Sequence, residues 1–225
     1  MDGSAVEARW EDEYRKGRYA GEPPVSFVRD IALAVHRQRP PGDVGLYIGC
    51  GNGRNYVPLV DAGLDLVGID VSGTAIAQLA RRRPDRASRL IHGDITVLPS
   101  GSKFGTVVGI QVFQHGCEAD AHAHIRAALD LLTPGGLFCV RVNAAGTQLE
   151  YRHTIVEAND AGGFTAVYEE GPKTGLHVHF FGRDELENLT SSLEPNTPIR
   201  LDRTYRQALF AGYWDQWEGI WLKGA

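Results

Sequence analysis

Two rhythms of apolar residues alternate along this chain. Short apolar runs cover residues 43–48, 64–69, 88–92, 104–112 and 136–143, and read as buried strands. Between them, apolar positions recur every three or four residues over 54–62, 73–83 and 119–132, which is the spacing of one helix face. Two more helices precede the first strand. Residues 4–16 are helical and rather charged, and 25–38 carry Phe27, Val28, Ile31, Leu33, Ala34 and Val35 at helical spacing. Pro40-Pro41-Gly42 ends the second of these helices. Regular strand–helix alternation predicts an α/β protein with a parallel sheet covered by helices on both faces.

The remainder is less regular. Residues 144–178 are polar and glycine-rich and read as an insertion. A helix over Asp184–Leu193 and strands at 198–205 and 216–222 finish the chain. The pattern divides one expected domain into an N-terminal helical part (1–40), a core (41–143), an insertion that walls the site (144–182), and a C-terminal helix with strands (183–225). Tyr213 to Trp221 is aromatic and strand-like, and reads as core and hairpin.

Composition narrows the partners. The chain has 225 residues, enough for one substantial core. Its formal charge of −5 is spread through mixed signs. The one basic block, Arg81-Arg82-Arg83, suits a helix C-terminus, so nucleic acid is not favoured. Met1 to Lys16 lacks the apolar stretch of a signal peptide, and no run approaches the roughly 18 apolar residues of a membrane span. The expected location is the cytoplasm. Cys50, Cys117 and Cys139 are odd in number and widely spaced, which argues against zinc or a disulfide framework.

Candidate chemistry concentrates at the ends of the central strands. After Val44 to Ile48 comes a glycine-rich turn with Gly49, Gly51 and Gly53, and the next strand ends in Asp70. Glycines let a ligand approach the backbone. The exposed N–H groups of the turn and following helix favour a negative group. A carboxylate at the next strand end can accept both hydroxyls of a ribose. The other reading of Asp70 is a helix cap or turn residue. Val71 offers an apolar side chain to a purine. His92-Gly93-Asp94-Ile95 follows the third strand, and Thr133-Pro134-Gly135-Gly136 leads into Leu137-Phe138-Cys139-Val140-Arg141-Val142.

This ordered set, strong over residues 40–145, resembles the class I S-adenosylmethionine-dependent methyltransferases of the small-molecule type. The resemblance implies a Rossmann-like three-layer sandwich with a seven-stranded, mostly parallel sheet whose last strand is antiparallel. It implies S-adenosylmethionine as cofactor, with S-adenosylhomocysteine as product. Gly49, Cys50, Gly51 and Gly53 would pass near its methionine part, and Asp70 would hold the ribose hydroxyls. Asp94 would accept from the adenine amino group and the Ile95 N–H would reach a ring nitrogen, unless Asp94 is a plain turn aspartate. Where the family pattern carries an acidic residue just ahead of the glycines, this chain has Tyr47. Glu13 or Tyr14 from the N-terminal segment, or backbone carbonyls near Gly49, would then compensate. Trp10, Tyr14 and Tyr19 would belong to a lid, where aromatic faces steady a sulfonium, or simply to a helix packed against the sheet edge.

The implied reaction is in-line methyl transfer to O, N or S of a small molecule, governed by alignment and exclusion of water. Gln111, Gln114 and His115 follow the fourth strand, where the family places residues of the transfer pocket. His115 is the candidate general base, against a purely structural strand-end histidine. Gln111 and Gln114 would contact the cofactor backbone or acceptor. Arg141 would pair with a substrate carboxylate, or with Glu169 or Glu170. Asn143, Tyr151, His153 and Tyr168 would form the other wall. His177 and His179 share a face if extended and would line the substrate or make plain structural hydrogen bonds, with no metal expected because no nearby carboxylate or third ligand is evident. His122 and His124, two apart on a helix, read as surface. Two other functions share part of the pattern. One is a non-catalytic S-adenosylmethionine-binding protein, which Tyr47 and the lack of an obvious base keep open. The other is a nicotinamide-dependent oxidoreductase, against which stand the G-x-G-x-G spacing and the missing Tyr-x-x-x-Lys. The sequence leaves oligomeric state open.

Overall fold

The computed structural model describes residues 3–39, 42–206 and 212–224. Seven strands form the main sheet: β1 (Val44–Ile48), β2 (Asp65–Asp70), β3 (Leu90–His92), β4 (Phe104–Ile110), β5 (Leu132–Asn143), β9 (Leu193–Tyr205) and β10 (Tyr213–Lys223). Their order is β3-β2-β1-β4-β5-β10-β9. Neighbours from β3 to β5 run parallel, and β10 runs antiparallel to both β5 and β9. The expected sheet, with its last strand antiparallel, is therefore present. The strand order reverses at β1 and β4, and the crevice beyond the carboxyl ends there is where ligands of open α/β sheets bind.

Alternation along each strand splits the core in two. Tyr47, Val108 and Cys139 face one side, with α2 (Phe27–Gln38), α3 (Tyr56–Asp61) and Leu79 of α4 (Gly73–Arg82). Leu46, Val107, Phe138 and Val140 face the other, with α5 (Glu118–Asp130) and Leu186 of α6 (Arg183–Leu189). A side-chain period of two makes each strand serve both layers, and every residue of β4 is buried, as a doubly covered central strand requires. α2 ends at Gln38; Pro40 and Pro41, expected to stop it, lie outside the described residues.

The 144–182 region is ordered into a second sheet, β6 (His153–Ala158), β7 (Phe164–Tyr168) and β8 (His177–Phe180), antiparallel throughout. Ala166, Tyr168, Val178 and Phe180 form its own small core, with Phe164 stacked on Phe180 at 4.9 Å. Its glycines sit in the connections, which hid short strands behind a loop-like composition. The expected helix Asp184–Leu193 is shorter: α6 stops at Leu189, and the Thr190 hydroxyl donates back to Leu186 O at 2.8 Å. A side-chain hydroxyl that takes a helix carbonyl competes with further turns, and β9 begins at once. α1 (Gly3–Arg15) lies against α4.

Candidate active site

Asp70 ends β2 inside a cavity of about 540 Å³. Its Oδ2 accepts from Gly51 N–H at 2.8 Å and its Oδ1 from Ser72 N–H at 2.9 Å. Each oxygen thus holds one backbone donor and keeps a lone pair for a further donor. Burial pushes this carboxyl up, and the two backbone donors oppose that shift. Gly51 has φ +54°, and a Cβ there would collide with the Tyr14 hydroxyl. The turn therefore runs directly under that ring. Tyr14 is buried, and the loss of water together with nearby Asp70 raises its hydroxyl well above the ordinary range.

Gly49, Cys50, Val71, Asp94, Ile95, Gln111 and His115 line the same cavity as Asp70 and Tyr14. Gly53 does not: a side chain there would meet Leu79 and Val57, so it serves the packing of the turn on α4 rather than the ligand wall. Cys50 is buried and its thiol is pushed well up by burial, which leaves it unreactive. Asp94 caps the short turn Ile95–Val97, with Oδ1 accepting from Thr96 N–H at 2.8 Å and Thr96 Oγ1 at 2.5 Å. The turn-aspartate role is real, and both bonds use one oxygen only. Tyr47 is 1% exposed and edge-on to Tyr56 at 6.1 Å, and burial raises its hydroxyl well above the ordinary range, with the Asn55 side chain opposing that shift. Glu13 pairs with Arg18 at 3.4 Å and is not on the cavity wall; of the two residues proposed to compensate for Tyr47, Tyr14 alone faces the site.

α1 closes this cavity through a contact that sequence spacing did not signal. Glu11 accepts from Ser72 Oγ at 2.7 Å, from Thr74 N–H at 3.1 Å and from Thr74 Oγ1. These are donors of the first turn of α4, where a negative group is favoured. They hold the Glu11 carboxyl down at about 2. Gln78 Nε2 donates to Tyr14 O at 3.0 Å, and Arg9 donates to Thr174 O at 3.0 Å. So α1 spans from α4 to the loop that follows β7.

A second cavity of about 430 Å³ adjoins the first, and Trp10, Tyr19, Gln111 and His115 line both. Gln111 has φ +57°, a left-handed backbone uncommon outside glycine, and its N–H donates to Arg141 O at 2.7 Å. His115 packs edge-on to Trp10 at 5.2 Å. Burial, then the positive Lys173, depresses its pKa to about 3, so the imidazole is neutral and a weak proton acceptor. Gln114, Arg141, Asn143, Tyr151 and Tyr168 line the second cavity, whereas His153 turns to Tyr151 O at 2.8 Å. Arg141 does not pair with Glu169 or Glu170, which bind Arg152; it pairs with Glu218 and, at 2.8 Å, with Asp202. Lys173, Trp214 and Gln216 also line this cavity. Gln216 stands among the aromatic residues of the terminal strand beside the charged Asp215 and Glu218, all three buried; that polar set was the available signal, since a buried amide asks for partners.

His177 and His179 line neither cavity. β8 instead backs the segment that carries Gln114 and His115: Gly116 N–H donates to His177 O at 3.1 Å and His179 N–H to Gln114 O at 2.8 Å. The His179 side chain is fully buried. Its Nε2 meets Glu185 Oε1 at 2.8 Å, and His122 Nε2 meets the same oxygen at 2.5 Å. A carboxylate and a second imidazole therefore do stand beside His179, and His122 is not a surface residue. The ligand atoms of these three side chains lie within 4.8 Å of one another. Glu185 Oε2 accepts from Gly182 N–H at 3.0 Å, and the carboxyl is held down at about 2, burial opposing and the histidine donors prevailing. The network ties α5, α6 and β8 together behind the site.

Comparison with known proteins agrees with this geometry. Residues 46–136 match a family model described as a methyltransferase domain. The ubiquinone biosynthesis O-methyltransferase of Ruegeria pomeroyi is 30% identical over 136 residues, covering 58% of this chain and 51% of that protein. The match thus spans about half the length of this curated relative. Among solved structures, the CcbJ methyltransferase from Streptomyces caelestis superposes with a TM-score of 0.60 at 20% identity, covering 96% of each chain. The 1,6-didemethyltoxoflavin-N1-methyltransferase of Burkholderia thailandensis, solved with 1,6-didemethyltoxoflavin and S-adenosylhomocysteine bound, gives 0.65 at 16% identity, covering 99% of this chain and 89% of that one. Among the described residues no helix is long and apolar enough to cross a membrane.

Proposed function

We propose that this protein is a class I S-adenosylmethionine-dependent methyltransferase and transfers the cofactor's methyl group to an O, N or S atom of a small-molecule acceptor. Asp70 carries this reading. It is a buried carboxylate at the switch point of the sheet, with each oxygen held by one backbone N–H and open to one more donor. That is the acceptor pair a ribose diol needs, and the cavity of about 540 Å³ falls in the range of small-molecule sites.

The cofactor supplies a methyl group on a positively charged sulfur, already activated for displacement. This chain's residues have to bind, orient and dry the site. Asp70 holds the ribose, Asp94 and the Ile95 N–H hold the adenine, and Val71 packs on its face. Tyr14 closes over the glycine turn, and Trp10 and Tyr19 bring aromatic faces to the wall between the cavities. α1 acts as the lid. At neutral pH His115 remains uncharged, so its part is to shape that wall and offer a neutral hydrogen-bonding nitrogen, and the acceptor is one whose attacking atom needs little help in losing a proton.

Calorimetric titration tests the reading. S-adenosylmethionine and S-adenosylhomocysteine should bind saturably to the wild type, and Asp70→Ala should weaken both by about a hundredfold or more, as expected for two hydrogen bonds to a charged acceptor. Preference for a nicotinamide dinucleotide, or adenosyl binding untouched by Asp70→Ala, would overturn it.

A further inference from the structure

The second cavity combines two features that the cofactor does not require. The first is a set of idle polar atoms. Gln114 Oε1, Asn143 Nδ2, Gln216 Oε1, Arg141 Nε and the Tyr168 hydroxyl are all buried without a hydrogen-bond partner, and all belong to side chains on this cavity's wall. Gln114, Asn143 and Gln216 are at most 3% exposed. Gln216 Nε2 donates to Asn143 Oδ1 at 2.8 Å. Turning both amides over would leave the same balance, one spare donor and one spare acceptor. Unpaired buried polar groups are costly in a folded protein, and five on one wall mark a surface built to be completed by a ligand.

The second feature is the charge balance. Arg141 is paired with Glu218 and Asp202, Arg18 with Glu13, and Arg206 with Glu150. Lys173 has no ion pair among the described residues. Its ammonium lies 5.5 Å from the Trp214 ring centre and 5.9 Å from that of Tyr168, half-buried between two aromatic faces. Burial, with Arg18 adding repulsion and Glu13 only partly opposing both, brings it down to about 8, as burial does to a cation without a direct ion-pair partner.

We propose that this cavity binds the methyl acceptor, and that the acceptor is a small molecule carrying a carboxylate, held by Lys173, with further polar groups that pair with Gln114, Asn143 and Gln216. The inference rests on the methyltransferase reading for the word acceptor, and on the cavity's own chemistry for the charge. The wall shared with the cofactor cavity at Gln111 and His115 puts the bound molecule next to the transfer point. Lys173 is a binding residue here and takes no part in the displacement.

The test is a ligand-observed NMR screen of small monocarboxylic acids against their primary carboxamides, with and without saturating S-adenosylhomocysteine. Each pair matches in shape and differs in charge. Acids should bind about ten- to a hundredfold more tightly than their amides, the size of a hydrogen bond to a charged group. Lys173→Met should erase that preference and Lys173→Arg should keep most of it, each variant being checked for an unchanged fold by circular dichroism. Lys16→Met, which removes an exposed cation paired with Asp12, should leave the preference intact. Equal binding of acids and amides, a preference that survives Lys173→Met, or no binding of any acid to protein that does bind S-adenosylhomocysteine would overturn the proposal. Failure of S-adenosylhomocysteine itself to bind would instead overturn the methyltransferase reading, and the acid preference of the cavity would still be read in the samples without it.

Discussion

Replacing Glu11 by glutamine should loosen α1 without touching either cavity wall. The carboxylate takes three hydrogen bonds from Ser72 and Thr74 at the start of α4, and Glu11 is not among the residues lining either cavity. A drop from 4.5 to about 2 corresponds to roughly 3 kcal/mol at 1.36 kcal/mol for each pH unit. The side chain is 29% exposed, and solvent screening reduces that to about 1–2 kcal/mol. Glutamine keeps one acceptor and turns an amide donor toward groups that are themselves donors, so most of this stabilisation is lost. Hydrogen exchange of α1 amides at pH 7 should accelerate about five- to thirtyfold, and S-adenosylmethionine affinity should fall by a comparable factor if α1 must be docked for binding. Because the folded carboxyl lies below its unfolded value, its contribution is complete above about 4.5 and fades as pH falls toward 2. The difference between wild type and variant should therefore shrink over that window. Identical α1 exchange in the two proteins at pH 7 would refute the latch.

Three further outcomes can be checked. Tyr47→Phe removes a buried hydroxyl next to Asn55 and should cost about 1 kcal/mol of stability; calorimetric affinity for S-adenosylmethionine should stay within about twofold if that hydroxyl has no part in holding the cofactor. His115, depressed to about 3, should contribute no limb to the pH–rate profile between pH 5 and 8. His115→Asn should lower the rate without changing the profile's shape, and a limb that vanishes in this variant would contradict the neutral wall. Glu185, held at about 2 with its side chain 3% exposed, should contribute on the order of 3 kcal/mol that is fully present above about pH 4.5 and lost as pH falls toward 2. Urea unfolding at pH 6 and pH 3 should show Glu185→Gln flattening that acid loss.

The glycine turn and Asp70 were legible because their chemistry is local. The turn, its strand and the carboxylate lie within thirty residues, and strand–turn–helix geometry alone brings the Gly51 N–H to Asp70. Gly53 shared that pattern yet serves Leu79, since a motif does not say which side of a turn a glycine relieves. The central strands of the main sheet were legible for the same kind of reason: buried strands reveal themselves by unbroken apolar runs, and β4 is such a run throughout, whereas their order in the sheet was not written in those runs. The small sheet β6–β8 was not legible, because β6 is almost wholly exposed, β7 and β8 are short, and the connections are rich in glycine.

The sequence by itself determined the layered α/β class, the crevice at the strand ends and the pairing of the glycine turn with Asp70, because period, turn chemistry and strand ends act over short stretches of chain. Only the tertiary structure decided the rest. Asn143 and Gln216 meet because β5 and β10 pair in that register. Lys173 enters the second cavity from the loop after β7, beside Trp214. His122, His179 and Glu185 converge from α5, β8 and α6. Glu11 reaches α4 across some sixty residues. Such meetings depend on how whole elements dock, which buried area and packing settle, and no local pattern encodes them.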